Sequence, residues 1–106
     1  MAQPRLTISK SSDYKTIHVS GAFGGLNPIE GTIIFYIDHH EVEVIDGQMR
    51  LKEIARELLI EIKLSPFEFK SLALWMMKHV KAYEERFGEI EMPKIQEKKP
   101  AETTYV

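Results

Sequence analysis

Alternating apolar and polar positions run through the first half of the chain, and this pattern predicts β-strands with one buried face. Between Tyr14 and Phe23, the side chains of Ile17 and Val19 fall on one face, so we predict a first strand there. A second run, TIIFYIDHHEVEV, is rich in β-branched and aromatic residues and predicts another strand.

Glycine, asparagine and proline mark the connections between these elements. The stretch GGLNPIEG follows the first predicted strand, and we expect a loop or broad turn in which Gly24 and Gly25 adopt positive φ angles. The dipeptide Asp46-Gly47 is a hairpin signal that closes the second strand.

The segment MRLKEIARELLIEIKL fits two structures. An apolar stripe at helical spacing runs through it, at Leu51, Ile54, Ala55, Leu58, Leu59 and Ile62. A strand-like alternation sharpens towards its end, at Leu58, Ile60, Ile62 and Leu64. We favour a strand from Ala55 to Leu64, because a helix would have to stop and restart across Ser65-Pro66.

A long helix is the clearest element of the sequence. Ser65 is a good N-cap, Pro66 suits the first helical position, and Glu68 completes a capping box. Gly88 suits the position just after the helix, which predicts about 22 helical residues and a length of about 33 Å. Apolar residues step by threes and fours down one face: Phe69, Leu72, Ala73, Met76, Val80, Tyr83 and Phe87.

These elements predict an α+β fold, with an antiparallel sheet of three to four strands and one long C-terminal helix packed on it. We assign residues 14–90 to this domain, residues 1–13 to an N-terminal arm or short strand, and residues 91–106 to a polar, flexible tail. The helix is expected to bury its stripe against apolar residues of the sheet: Ile17, Val19, Ile34, Tyr36, Leu58, Ile60 and Ile62.

Composition narrows the possible functions. The chain has 106 residues, a formal net charge of −2 and no cysteine. Disulfides, thiolate catalysis and cysteine-based zinc sites are therefore excluded, and no large positive field is available to attract nucleic acid. The start of the chain lacks the apolar segment of a signal peptide and no run is long enough for a membrane helix, so we expect a cytoplasmic protein. Few Asn and Gln beside many Glu, Lys and Ile lean towards a thermophile.

The tetrapeptide Asp38-His39-His40-Glu41 places four potential metal ligands in a row. Neighbouring side chains of a strand point to opposite faces, so His39 and His40 cannot both bind one ion from a regular strand. A catalytic zinc site also needs three protein ligands and supporting hydrogen bonds. We interpret the tetrapeptide as the place where a strand leaves the sheet and meets solvent, and we predict no metal and no cofactor. A small metal-dependent enzyme using the Asp38–His40 region is kept as an alternative.

Other catalytic or phosphate-binding motifs find no support. The glycine-rich stretch lacks the Gly-Lys-Ser/Thr end of a Walker loop and the spacing of a dinucleotide loop. Contact of Phe23, Gly24 and Gly25 with a ligand or partner is the alternative to a simple turn. Ser20, His18 and Asp38 lack the context of a catalytic triad, so we predict no enzymatic activity.

The helix carries more apolar residues than one small sheet needs. Leu74, Trp75 and Met77 lie beside or behind the main stripe and widen it. An over-wide apolar face is either deeply buried or bound to a partner, and Trp and Met are favoured at interfaces. We therefore expect these three residues at a subunit contact, in a homodimer or higher homo-oligomer that acts as an interaction or adaptor module.

Binding of single-stranded nucleic acid is the alternative from another class. Lys70, Lys78 and Lys81 lie on the polar side of the helix, and the tail adds Lys94, Lys98 and Lys99. Proteins of that class combine aromatic platforms with a basic groove. Here the predicted sheet carries many glutamates and few basic residues, which argues against tight binding at cellular salt.

The segment IEIKLSPFEFKSLALWMMKHVKAYEERFGEI resembles the C-terminal half of a family of small, uncharacterised prokaryotic proteins. In that family a strand runs into Ser-Pro, and a long helix follows and closes with Tyr-Glu-x-x-Phe-Gly, here Tyr83 to Gly88. The upstream GAFGGLNPIEGTIIFYID resembles the family's strand and loop region. The resemblance spans about residues 14–90 and supports a strand before Ser65, but it implies no catalytic residues because the family has no assigned function.

Overall fold

Three strands and one helix form the fold in the computed structural model, which describes residues 3–93. Strand β1 is Gly21–Leu26, β2 is Gly31–Ile45, β3 is Gln48–Leu64, and helix α1 is Pro66–Phe87. The strands form one antiparallel sheet in the order β1-β2-β3. The α+β class, the antiparallel sheet and the C-terminal helix predicted from the sequence are confirmed.

The β2–β3 hairpin is much longer than the rest of the sheet. Strand β1 pairs with β2 only as far as Gly21 opposite Tyr36, and beyond that point β2 and β3 pair with each other alone. We call this two-stranded part, residues 37–57, the arm. Its tip is the predicted Asp46-Gly47 turn, where φ angles of 51° and 75° give the left-handed conformation that suits a two-residue hairpin.

Two bulges in β3 reverse the orientation of its side chains. The pairing jumps past Leu59 and past Lys52, so each leaves one extra residue on β3. Because side chains alternate along a strand, each extra residue moves the following side chains to the other face of the sheet. Ile60 and Ile62 therefore share one face with Phe35, whereas Leu58 shares the opposite face with Tyr36.

The helix begins and ends as its sequence predicts. The Ser65 side chain accepts a hydrogen bond from the Glu68 backbone N–H at 3.1 Å, and Glu68 Oε1 accepts one from the Ser65 N–H at 3.2 Å. Pro66 occupies the first turn. At the other end, the Gly88 N–H donates to the Glu84 carbonyl, with a φ of 98° at Gly88.

The expected burial of the helix against its own sheet is wrong. No hydrophobic residue in the described part of the chain is fully buried, and no helical residue is buried. The helix contacts the sheet near its first turn, where the ring of Phe69 lies against Gly31. The helix is not buried because of the direction of its axis: α1 leaves the end of β3 and does not lie along the sheet. Its stripe is left open: Met76, Tyr83 and Phe87 are all exposed.

The region before β2 also differs from the prediction. Residues 14–20 are not a strand, and β1 starts only at Gly21. Gly24 and Gly25 lie inside β1 opposite Ile33 and Thr32, so the turn predicted at the two glycines is wrong. The turn is at residues 27–30, where the Asn27 side chain accepts hydrogen bonds from two backbone N–H groups. Asparagine competes well for such backbone donors, which explains the shift.

Within residues 3–93, no helix is long and apolar enough to cross a membrane. Residues 91–93 are exposed and neither helical nor strand. The rest of the predicted tail, including Lys94, Lys98 and Lys99, lies outside the described residues.

Candidate functional site

The arm has one apolar and one charged side. Partners that face each other across the ladder project to the same side, and this side brings together Val42 with Leu51 and Val44 with Met49. We define the arm face as these four residues with Ile54 and, at the base of the arm, Leu58. All six are exposed, and Val44 is 69% exposed. An apolar patch of this extent on one side of a hairpin is a candidate interaction surface.

The opposite side of the arm is acidic and polar. It carries Glu41 and Glu43 of β2 with Glu53 and Glu57 of β3, all of them exposed. His39 lies on this side with its Nε2 atom 4.0 Å from Glu57 Oε1. The arm is therefore amphipathic: one side is polar, and within residues 3–93 nothing covers the apolar side.

A polar cluster interrupts the arm face between Ile54 and Leu58. The guanidinium of Arg56 donates to both carboxylate oxygens of Asp38, at 2.8 and 3.1 Å, and lies 3.8 Å from the ring centroid of Tyr36. The Asp38 N–H donates to the hydroxyl of Ser20 at 3.0 Å. The hydrogen bonds from Arg56 hold the pKa of Asp38 below its usual value, and the same pair raises the pKa of Arg56. The cluster ties β1, β2 and β3 together at the base of the arm.

The tetrapeptide at 38–41 does not end a strand, contrary to the prediction. It lies in the middle of β2 and pairs with β3 through Glu41 opposite Glu53. The predicted alternation does hold, since Asp38 and His40 share one side and His39 and Glu41 the other. Within residues 3–93 no three His, Asp or Glu side chains come together as a metal-binding group. Strand β2 continues through the tetrapeptide because β3 extends well before Ala55 and pairs with it there.

Of the three residues rejected above as a catalytic triad, Ser20 and Asp38 are engaged in other contacts. The hydroxyl of Ser20 accepts from the Asp38 backbone, and the Asp38 carboxylate is occupied by Arg56. Neither group is oriented towards His18 by a hydrogen bond in the described structure. This geometry assigns Ser20 and Asp38 a structural function at the base of the arm.

Helix α1 carries the second uncovered surface. Trp75 is 57% exposed, and Leu74 and Met77 are similarly open. Trp75 packs edge-on against His79 with ring centroids 4.7 Å apart, and Tyr83 packs against Phe87 at 5.0 Å. In each pair the rings are four residues apart, so they contact each other along one side of the helix.

The three residues of β1 that were predicted to contact a partner have different surroundings: Phe23, Gly24 and Gly25. Phe23 is about half exposed and lies 5.9 Å from Tyr36 between ring centroids. Gly24 has a φ of 146°, and a Cβ atom there would collide with the Thr32 carbonyl oxygen. Gly25 is buried beside β2. Gly24 therefore allows β1 to approach β2 closely, and of the three residues only Phe23 presents a side chain at the surface.

The face of the sheet opposite the arm face holds a shallow apolar groove of about 430 Å³ near β1. Side chains from residues 13–19 form one wall of it, without the predicted strand pairing. The apolar side chains that line it are Tyr14, Ile17, Val19, Phe35, Ile60 and Ile62. The N-terminal segment thus partly covers this face, whereas nothing within residues 3–93 gives the arm face a similar cover. Sequence reasoning missed the arm face, although Val42, Val44, Leu51 and Ile54 were visible in the pattern.

Comparison with protein families places the chain as a whole. A family described as "Protein of unknown function (DUF3467)" matches residues 2–92. The chain belongs to this family. The match covers both the hairpin and the helix, and the predicted resemblance to an uncharacterised family is confirmed. No match was found among the curated proteins or the solved structures.

Proposed function

We propose that this chain is a non-enzymatic interaction module of the cytoplasm that works as a homo-oligomer, with a dimer as its smallest unit. One observation carries the proposal: in residues 3–93 no hydrophobic side chain is fully buried. A chain of this composition has enough apolar residues for a core, and without burying them it cannot offset the conformational entropy of folding. A second copy supplies the missing cover.

The exposed area supports an interface of substantial size. The chain exposes 10594 Å², whereas a folded monomer of 12.3 kDa is expected to expose about 6,100 Å². Even with residues 1–2 and 94–106 counted at the exposure of an unfolded chain, an excess of about 2,000 Å² or more remains. Obligate dimers bury about 1,000–2,500 Å² on each subunit, so the excess matches an obligate rather than a transient contact.

The helix and the sheet both contribute to the proposed interface. Leu74, Trp75 and Met77 supply the large side chains of α1, and Phe23 supplies a ring at the edge of the sheet. Trp and Met are enriched at the cores of protein interfaces. The acidic side of the arm, with Glu41, Glu43, Glu53 and Glu57, argues against the nucleic-acid alternative because it would repel a phosphate backbone.

Size-exclusion chromatography coupled to light scattering tests the proposal. The expected mass is twice 12.3 kDa or a higher multiple, and it should persist at micromolar concentration. Trp75→Ala should weaken association by about 30-fold or more, as expected for an interface hot spot worth about 2 kcal/mol. Lys70→Ala is the matched control, because at 3.6 residues per turn it lies about 140° around the helix from Trp75, and it should leave the mass unchanged. A folded monomer of wild-type protein would overturn the proposal, and an unchanged mass for Trp75→Ala would remove Trp75 from the interface.

A further inference from the structure

We propose that the arm face of one chain is covered by helix α1 of a second copy, and that the exchange is reciprocal. Each subunit would then extend its arm over its partner's helix and receive the partner's arm on its own. This inference rests on the proposed dimer and specifies which surfaces meet in it. The two contacts are equivalent under a two-fold axis, as expected for a closed homodimer.

The helix of the same chain is on the wrong side to cover the arm face. Phe69 lies against Gly31, and Gly31, Ile33 and Phe35 lie on the same side of β2. Val42 and Val44 project from the other side of the same strand, because they occupy the alternate positions. The sheet therefore lies between α1 and the arm face of the same chain, and within residues 3–93 that face stays exposed, so we assign its cover to a second copy.

The two surfaces match in length. Helix α1 has 22 residues, which gives a length of about 33 Å. The β2 side of the arm, from Ile37 to Ile45, spans about 30 Å at the rise of an antiparallel strand. A helix lying along the arm would cover the arm face from the polar cluster at Asp38 to the hairpin tip. The side chains also complement each other in shape, since aromatic rings and methionines on the helix would pack on mainly branched aliphatic groups of the arm face.

The charges favour packing of the arm of one copy on the helix of the other copy, rather than packing of the two arms on each other. The arm, residues 37–57, has six acidic and three basic residues and a net charge of −3. Residues 70–81 of the helix contain three lysines, no acidic residue and a net charge of +3. Two arms would repel each other on approach, whereas an arm and this stretch of a partner's helix attract.

Disulfide cross-linking tests the pairing directly, since the chain has no cysteine of its own. Ile54→Cys places a thiol on the arm face, and Glu53→Cys places one on the opposite side of the same strand. Met76→Cys lies on the apolar stripe of α1, and Lys78→Cys lies on its far side. Full-length variants are unfolded, mixed in pairs, refolded together and oxidised, and the cross-linked species are identified by mass spectrometry.

The pair Ile54→Cys with Met76→Cys should give a mixed cross-linked dimer at about fivefold or more the yield of either pair that contains a control. The reason is that a disulfide needs Cα atoms within about 7 Å, which thiols on the far sides cannot reach. If that pair fails to refold, Leu51→Cys with Val80→Cys repeats the test one turn away, with Arg50→Cys as its control.

Light scattering on the reduced samples separates failure of this inference from failure of the dimer. A dimer in which Ile54→Cys cross-links mainly to itself would mean that two arms pack face to face, and the inference would be wrong. A dimer whose mixed cross-links form equally with the control thiols would also overturn it. A folded monomer would overturn the proposed function as well as the pairing.

Discussion

The ring of Phe69 lies against the backbone of Gly31, so closely that a Cβ atom at position 31 would overlap the ring. This contact anchors the first turn of α1 to the sheet. Gly31 and the neighbouring Thr32 are among the few buried residues of the described structure, and Lys63 donates a hydrogen bond to the Thr32 hydroxyl at 2.9 Å. The direction in which the helix leaves the sheet therefore depends on the absence of a side chain at one position.

Gly31→Ala should destabilise the protein by about 1–3 kcal/mol, the usual cost of overfilling a packed site. The added methyl group must push Phe69 away or move β2. Urea unfolding followed by circular dichroism, at one fixed protein concentration, measures the change. Phe69→Leu in the Gly31→Ala background provides the control, because a smaller side chain should recover part of the loss. Wild-type stability in Gly31→Ala would contradict the contact.

Ser65→Ala should destabilise the helix start by about 1 kcal/mol, because it removes the hydroxyl that accepts the Glu68 N–H. Ser71→Ala is the matched control in the same helix. It lies at an exposed internal position, where alanine is the better helix former, so it should be neutral or slightly stabilising. Equal effects of the two substitutions would mean that the capping box does not hold the helix start.

Acid should weaken the base of the arm. The hydrogen bonds from Arg56 lower the pKa of Asp38 in the folded state below its ordinary value of 3.8. The stabilisation is therefore fully present above about pH 4 and is lost as the pH falls through the lowered value. In Asp38→Asn, the free energy of unfolding should fall less steeply below about pH 4 than in wild type. Arg56→Lys keeps the charge but loses the two-pronged hydrogen bond, and it should lie between the two. Identical acid limbs for wild type and Asp38→Asn would contradict the assignment.

The metal-dependent enzyme alternative also has a direct test. His39 and His40 lie on opposite sides of β2, and Asp38 is engaged by Arg56. The protein is dialysed exhaustively against a chelator, then loaded with zinc, and then dialysed against metal-free buffer. We expect far less than one metal ion per chain to remain. A stoichiometric ion that is lost in His40→Ala and kept in His18→Ala would establish a site at the arm and overturn the non-enzymatic proposal.

Binding of nucleic acid would reveal itself by its salt dependence. We expect no shift of a fluorescent single-stranded oligonucleotide at 150 mM salt, because the acidic side of the arm opposes the phosphate backbone. A shift that weakens with added salt and disappears in a Lys70→Ala, Lys78→Ala and Lys81→Ala triple variant would make single-strand binding the leading function.

The helix was predictable because its signals are local. Its capping residues each act on the backbone within one turn, at Ser65, Pro66, Glu68 and Gly88. Their effect therefore does not depend on how the rest of the chain folds. The same holds for Asp46-Gly47 at the hairpin tip. Gly24 and Gly25 were misplaced because glycine serves equally in a turn and in a strand that needs close backbone approach, and the sequence alone does not distinguish the two.

The ambiguity of residues 49–64 has a specific cause in the bulges. The extra residue Lys52 separates Leu51 from Ile54 by three positions, although both lie on the arm face. Leu58 follows Ile54 by four positions on the same side. The resulting spacing of three and four imitates a helix, and only the pairing with β2 shows that it is a strand. The candidate interface was predicted on the helix but missed on the arm for this reason.

The uncovered arm face has a consequence for how the protein exists in a cell. If its apolar side is covered only by another copy, folding and association become one reaction, and its yield depends on how many chains are present. The midpoint of thermal unfolding then rises with protein concentration, and newly made chains at low copy number remain open to proteases and chaperones. If the dimer forms as proposed, expression level acts as a threshold, below which the chain is removed and above which it persists.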